Sequence, residues 1–463
     1  METDSKQFEH EPHRDDAYEL DRKAVAAILD AVERGDREAL VALMEPLHAA
    51  DIADLLEQID ADDRDALIQL YGPEFDGDIL SELDEGVRED VIEILNPQVL
   101  AEAVRELESD DVVDLLEDLE EPQQEAILGA LEDADRVAVE QALAYPEGSA
   151  GRLMQREVVM APEHWTVGDA IDYLRNAEEL PEQFYHVFLV DPRLHPVGSV
   201  TLGRLMSSRR DVPLKDITEE VFQVIPVDQD EEDVAYAFNQ YHLISAPVVD
   251  GEGRLIGQIT IDDAMTVLDE EHEEDILRMA GVAEDSSLSD TIFEAVQGRA
   301  TWLFVNLLTA ILASLVIDYF SATIDQMVAL AVLMPIVASM GGNAGTQTMT
   351  VTVRAIATRD LTSQNALRVL WREISVGALN GLLFGVTMAL VAAFWFGVPM
   401  LGAVIGVAML LTLVAAALGG FGIPMLLDRI GIDPALASGP FVTTVTDVVG
   451  FFLFLGLAGW ILL

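Results

Sequence analysis

One carboxylate stands where water is scarce. Asp447 lies in the run Val442-Thr-Thr-Val-Thr-Asp447-Val-Val, about a dozen residues into the last of five apolar stretches. A carboxylate at membrane depth costs several kcal/mol unless it faces water, a cation or a partner. No Lys or Arg in those stretches is at hand to pair with it, and Thr443, Thr444 and Thr446 surround it with small hydroxyls. A protonated Asp packed between helices is one reading; a wet cation pathway suits the hydroxyl surroundings better. A second polar run, Pro335-Ile-Val-Ala-Ser-Met-Gly-Gly-Asn343-Ala-Gly-Thr-Gln347, places three glycines and two amides inside apolar sequence. Asn343 and Gln347 offer neutral oxygen ligands. Gly341, Gly342 and Gly345 should loosen the helix, and irregular backbone at that depth is tolerated only where it is buried or lines a cavity. The plainer alternative is small-residue helix packing.

A different chemistry is concentrated far from these residues. Positions 269–275 read Asp-Glu-Glu-His-Glu-Glu-Asp, six acids in seven residues. Such a run repels itself unless counter-ions screen it. It is usually a solvated face, but other acids could converge on it, such as Asp110 and Asp114, one helical turn apart.

The elements that carry these groups follow from charge and hydropathy along the 463 residues, which carry a formal net charge of −57. Before position 299 there are 76 acids and 20 bases; from Arg299 onward there are 7 and 6. The second part contains five candidate spans of the roughly 20 apolar residues a bilayer needs, at about 300–319, 326–342, 374–396, 400–427 and 435–462. Arg354, Arg359, Arg368 and Arg372 fill one loop and Arg429 another, whereas the 318–325 loop and the 397–399 turn have no base. Positive-inside bias then puts 343–372, 428–434 and the acidic half in the cytoplasm and Leu463 outside. The start, Met-Glu-Thr-Asp, has neither the basic nor the apolar region of a cleaved signal, in keeping with a multi-pass protein of the cell membrane. A nucleic-acid binder is excluded for want of a basic footprint. The absence of cysteine excludes disulfides and thiolate sites.

Residues 1–20 lack periodicity and read as a disordered acidic N-terminus. Residues 21–150 carry short amphipathic helical patterns, such as 103–117 and 123–131, loosely repeated as in a superhelical stack of helix pairs. Residues 151–265 change to mixed strand and helix. The run Val190-Asp-Pro-Arg-Leu-His-Pro-Val-Gly198…Thr201…Arg204…Met206 recurs 59 residues later as Val249…Gly257…Thr260…Asp263…Met265. This tandem repeat resembles a pair of cystathionine-β-synthase (CBS) domains, a regulatory α/β module. Gly257-x-x-Thr260-x-x-Asp263 resembles the ribose-phosphate site of adenylate-binding members, and Arg204 replaces the acid in the first copy. That leaves open both one ATP-type site at Thr260 and Asp263 and an empty structural pair. Residues 266–298 should form one long helix leading to the membrane domain at 299–463.

Taken together, Gly-Gly-Asn343-x-Gly-x-Gln347, the Arg-Ala-x-Ala-Thr-Arg-Asp stretch at 354–360, and Asp433-Pro-Ala…Gly439-Pro…Asp447 closely resemble the MgtE family of magnesium channels. The resemblance covers essentially the whole chain. It implies a homodimer in the lipid bilayer and makes 266–298 the connecting, or plug, helix below the pore. It also implies a pore set of Asp447, Asn343, Thr443 and Asp433, and a cytosolic Mg²⁺ sensor of Asp110, Asp114, Glu232, Asp263, Glu271, Glu274 and Asp275. The protein is then no enzyme but a channel for passive Mg²⁺ uptake, with no ATPase motif in the chain. A coupled transporter of Co²⁺ or Mn²⁺ and a pure adenylate sensor are the competing readings. Only three lysines among so many acids look like adaptation to high salt; with a Debye length of ~3 Å at 1 M, most of these carboxylates are solvation.

Overall fold

The computed structural model describes residues 20–117, 119, 121–131, 133–177, 180–181, 183–283, 286 and 292–462. The N-terminal segment read as disordered lies outside them, apart from Leu20. The chain folds as two units, one up to Asp269 and one from Glu270 onward.

In the first unit, many acids act locally as helix starts. Asp21, Asp36 and Asp60 each accept a free backbone N–H at the start of α1 (Arg22–Glu33), α2 (Arg37–Met44) and α4 (Ala61–Tyr71). Between them, α3 (Ala49–Gln58) carries a His48/Asp51 capping box. Each such cap is worth ~1 kcal/mol. Then follow α5 (Asp78–Ser81), α6 (Glu85–Ile94), α7 (Pro97–Glu106), α8 (Ser109–Glu117), α9 (Glu121–Leu128) and α10 (Asp133–Ala142). Each helix packs mainly on those two or three places along the chain, around one continuous core that includes Leu40, Leu67, Leu80 and Leu116. Two buried arginines tie successive layers at the same spacing: Arg64 to Asp90 at 3.0 Å, and Arg88 to Asp114 at 2.7 Å.

After α11 (Ala150–Leu153) the tandem repeat folds twice in one pattern. β1 (Met160–Pro162), α12 (Val167–Asn176), β2 (His186–Val190), β3 (Pro196–Thr201) and α13 (Leu202–Ser207) make the first copy. β4 (Ile225–Pro226), α14 (Glu231–Tyr241), β5 (Ser245–Val249), β6 (Leu255–Thr260) and α15 (Ile261–Ala280) make the second. In each, the first strand is parallel and the third antiparallel to the middle one, with a bulge at Leu189/Val190 and again, 59 residues on, at Val248/Val249. His186 Nδ1 and Ser245 Oγ, equivalent positions of the two copies, meet at 2.7 Å in the buried seam.

The expected single helix over 266–298 is not formed. α15 ends at Ala280, Gly281 takes φ +72°, and its N–H and that of Val282 bond back to Arg278 and Leu277. This pair of bonds is the Schellman stop, which needs a residue tolerant of the left-handed region. A new helix, α16 (Ile292–Tyr319), enters the apolar region; residues 284–285 and 287–291 of the expected helix lie outside the described residues.

The second unit continues with α17 (Ser321–Gln326), α18 (Ala329–Ala357), α19 (Ala366–Phe396), α20 (Pro399–Arg429) and α21 (Pro434–Ile461). Five of its helices are long and apolar enough to span a bilayer, within α16, α18, α19, α20 and α21. The glycine run does not loosen the second span: α18 is helical through Gly341, Gly342 and Gly345 and extends to Ala357, not 342. In apolar surroundings a released amide has no other acceptor, so the helix holds. The glycines act instead as notches. A Cβ at Gly345 would meet Val442 at 2.7 Å, and one at Gly420 would meet the Gly345 carbonyl at 2.5 Å. α19 and α20 touch backbone to backbone at Gly385 and Gly377, where a Cβ would fall 2.6 Å from the Gly406 carbonyl and 2.8 Å from that of Leu413. Gly385→Leu should therefore push the two helices apart at a cost of about 1–3 kcal/mol, the usual range for overpacking. Gly422→Leu, with open space around it, should be neutral. Thermal unfolding of the detergent-solubilised protein compares the two.

Candidate metal sites

Asp447 lies on α21, about 12 Å along the helix from the start of its span at Gly439, at 1.5 Å per residue. It is half-buried and, among the described residues, forms no ion pair with Lys, Arg or His. The threonines around it donate into their own helix: Thr443 to the Gly439 carbonyl at 3.0 Å, Thr444 to Pro440 at 2.6 Å and Thr446 to Thr443 at 2.9 Å. Their protons are thus spent on backbone, and their oxygens keep lone pairs for a cation or its waters. α18 meets α21 at this level, since a Cβ at Gly341 would lie 3.6 Å from Thr446. Asn343, in the same turn of α18, is exposed, with Ser339 Oγ 3.5 Å from its Nδ2.

Asp433 caps α21 by accepting the Ala435 N–H at 2.8 Å, and its other oxygen lies 3.1 Å from Arg278. Arg278 also holds Glu274 at 2.7 Å, one turn back on α15. Asp275 joins this group: burial, then the negative charge of Asp433, pushes its carboxyl above the usual range. Three of the expected acids, Asp433, Glu274 and Asp275, are therefore brought together around one arginine. Glu271 lies on the same helix, one turn before Asp275.

In the first unit a second acidic junction forms where α8 meets the second CBS copy. Residues 154–155 bridge to Gln258, and a Cβ at Gly257 would collide with the Gln155 carbonyl at 2.6 Å. Gln155 also donates to Glu108, and Ser109 Oγ donates to Glu157 at 2.8 Å. This fixes the start of α8 against the Thr260–Asp263 turn. Asp110 is 8% exposed, and burial with the nearby Asp263 charge drives its carboxyl well above the normal range. Burial and like charges push Glu108 and Asp111 up to about 7, and Asp263 to about 6. Asp114 is turned to Arg88. Glu232 is exposed in the first turn of α14. Among the described residues no three His, Asp or Glu side chains are placed to hold one metal ion.

The junction acids Glu108, Asp111 and Glu157 were not singled out from sequence. Glu108, Asp110, Asp111 and Asp263 hold their protons more tightly in the docked arrangement than in open water. The docked arrangement therefore takes up protons and gains stability as pH falls through 7, and loses it as pH rises. In Mg²⁺-free solution, protection from protease of residues 144–156, the stretch around α11 that leads from the helical stack into the CBS pair, should increase as pH falls from 8 to about 5.5.

Thr260 donates its N–H and hydroxyl to Asp263 at 3.2 and 2.6 Å, as a helix start, and both belong to the acidic junction. The open cleft is at the first copy: a cavity of about 330 Å³ bounded by His186, Phe188, Thr201, Arg204, Glu219 and Tyr241.

Carboxylates gathered with few bases, at a soluble junction and at a helix start, and Asp447 set between apolar helices, are arrangements that attract cations. The five candidate spans among the described residues mark a multi-pass membrane protein with soluble N-terminal domains. The family model described as a divalent cation transporter matches residues 334–457, that of the MgtE intracellular N domain 47–148, and that of the CBS domain 150–211 and 210–270. The magnesium transporter MgtE of Thermus thermophilus is 31% identical over 334 residues, covering 71% of this chain and 73% of that protein. The MgtE of Bacillus subtilis is 29% identical over 333 residues, covering 72% and 73%, and that of Enterococcus faecalis 30% over 320, covering 69% and 70%. A crystal structure of the cytosolic domain of the Mg²⁺ channel MgtE with ATP is 28% identical, with a TM-score of 0.49, over 52% of this chain and 99% of that one. The chain belongs to the MgtE family of magnesium transporters, and its N-terminal domains are cytoplasmic.

Proposed function

We propose that this chain is a Mg²⁺ channel that admits the ion passively and closes when cytosolic Mg²⁺ occupies its acidic groups. The observation that carries this reading is Asp447: a carboxylate deep in a span, with no basic partner and with hydroxyl oxygens beside it. Mg²⁺ gives up its waters reluctantly and is commonly held by one or two carboxylates with several waters kept. Thr443 and Asn343 would act on those waters. In a homodimer, two copies of Asp447 across the axis would form a small negative ring, a device that selects cations. An inside-negative potential favours entry of a divalent ion by about 4.6 kcal/mol per 100 mV, from ~2.3 per charge. The positive-inside reading, with Leu463 outside, puts Asp433 and the α15 acids on the cytoplasmic side of this pathway.

Closure in this reading is a population shift set by the differential affinity of Mg²⁺ for the closed state. At low Mg²⁺ the carboxylates within each acidic group, α8 with the Thr260–Asp263 turn and α15 with Asp433, repel one another; millimolar Mg²⁺ bridges them within each group. Asp433 tests the scheme at one residue. Asparagine caps a helix about as well as aspartate, so Asp433→Asn should leave the melting temperature nearly unchanged while moving Mg²⁺ inhibition to higher concentration. Unaltered inhibition in Asp433→Asn would reduce Asp433 to a cap.

A nucleotide fits the first-copy cavity better than the Thr260–Asp263 turn. The cavity is at the lower end of the size of small-molecule pockets, with the exposed Tyr241 for a ring and Arg204 for an anionic group. Arg204→Glu should weaken ATP binding, read by titration calorimetry on the purified full-length protein; unchanged binding would remove this assignment.

A further inference from the structure

Arg278 is the one Lys or Arg between Arg254 and Arg299, a stretch that holds twelve acids. It stands in the last turn of α15, just before the Gly281 stop, and reaches in two directions. Its Nη2 lies 2.7 Å from Oε2 of Glu274 on its own helix, and its Nη1 lies 3.1 Å from Oδ2 of Asp433 at the start of α21. The first pair travels with α15; the second ties α15 to another helix. Both oxygens of Asp433 are engaged in this arrangement. Oδ1 accepts the Ala435 N–H at 2.8 Å, while Oδ2 is closed off from solvent and, among the described residues, takes no hydrogen bond. Although 33% of the Asp433 side chain is exposed, Oδ2 has almost no share in it.

A buried carboxylate oxygen without a hydrogen bond is poorly satisfied. Arg278 offsets this by charge attraction, without the aligned donor that makes an arginine–carboxylate pair strong. Such a contact can be exchanged for a better one. Mg²⁺ prefers carboxylate oxygens and carries twice the charge, but it cannot reach Oδ2 while the guanidinium covers it. On leaving, Arg278 gives up one partner and keeps the other, because Glu274 stays one turn back on the same helix. The guanidinium is thus a competitor for Mg²⁺ built into the chain. A ligand whose site is open only part of the time binds with its affinity reduced by that fraction. The hold of Arg278 on Asp433 therefore sets how much Mg²⁺ is needed.

We propose that Arg278 is a positioning residue that occupies the place of Mg²⁺ at Asp433 and yields it on closure, so fixing the Mg²⁺ concentration at which the protein closes. This rests on the reading of Asp433 as a group that Mg²⁺ occupies. Inhibition of Mg²⁺ flux by Mg²⁺ at the cytoplasmic face is titrated in liposomes for the wild type, Arg278→Gln, Arg278→Lys, Asp433→Asn and the double variant Arg278→Gln/Asp433→Asn. Arg278→Gln removes the competitor and should lower the midpoint by about fivefold or more. Arg278→Lys keeps the positive charge and should bring the midpoint back to within about twofold of the wild type. A merely structural arginine would act in the opposite direction, since a loosened α15 needs more Mg²⁺ to dock. In the double variant there is no carboxylate left to yield, so its midpoint should not fall below that of Asp433→Asn alone. If Arg278→Gln does not fold, Arg278→Met reads the same shift, next to Met279, which packs on the cluster of Met349, Ala435 and Val442. An unchanged or raised midpoint in the uncharged variant, or a fall that persists in the double variant, would overturn the proposal while leaving the role of Asp433 intact. A wild-type midpoint in Asp433→Asn would remove that role and this proposal together.

Discussion

A protein carrying Glu271→Gln, Glu274→Gln and Asp275→Asn together is expected to keep conducting at millimolar cytosolic Mg²⁺, the concentration at which the proposed scheme closes the wild type. The three side chains nearly keep their shapes and lose three negative charges. Glu274 and Asp433 share Arg278 at 2.7 and 3.1 Å, and Asp275 is held against its ionised form by burial and by Asp433. In this cluster Arg278 stands among several acids, and in the proposed scheme a divalent cation adds to its positive charge. With the acids neutralised, Arg278 and Asp433 balance each other and Mg²⁺ has little left to bridge. The midpoint of inhibition should move up by tenfold or more. The proteolytic readout should follow: protection of the 144–156 linker and of α15 by Mg²⁺, over K⁺ of equal ionic strength, should disappear. A triple variant that closes at the wild-type concentration would make these acids a salt-adapted surface.

The largest loss is expected at Asp447. Asp447→Asn keeps the volume and one oxygen but removes the only full charge beside the α21 threonines. A hydrated divalent ion held near one carboxylate loses several kcal/mol of attraction even at an effective dielectric of ~20. A deficit of only ~3 kcal/mol is already more than 100-fold. Mg²⁺ flux should therefore fall at least about 100-fold with assembly intact, by gel filtration. Glu373, buried on α19, should not rescue it, because it borders a cavity between α18, α19 and α20 in which no residue of α21 takes part. Wild-type flux through purified Asp447→Asn protein would remove Asp447 from the pathway.

Much of this was legible before any coordinates. The 59-residue repeat sets two identical strand registers, and charge segregation marks the five spans. Asp447 stands out because its type and depth disagree, and the motifs at 341–347 and 433–447 carry the family. What escaped was decided by packing. Glu373 fell one residue before the third apolar stretch as read from hydropathy, so a buried membrane carboxylate passed for a loop charge beside Arg372. Gly281 sits in a pattern that tolerates a helical glycine, and only the bonds to Leu277 and Arg278 show the stop. Glu108 and Asp111 look like dozens of solvated acids until α8 docks on Gln155 and Glu157. Both CBS copies carry the Gly-x-x-Thr turn, and which cleft stays open depends on that docking.

The most direct measurement is Mg²⁺ uptake into liposomes holding the purified wild-type protein, without nucleotide and with equal pH on both sides. The membrane potential is set by a K⁺ gradient and valinomycin. Passive permeation predicts uptake that grows with inside-negative potential, reverses with its sign, stops when millimolar Mg²⁺ reaches the cytoplasmic face, and exceeds that of Co²⁺ or Mn²⁺. Uptake that appears only when a proton gradient is imposed, or that favours Co²⁺ or Mn²⁺, would contradict it.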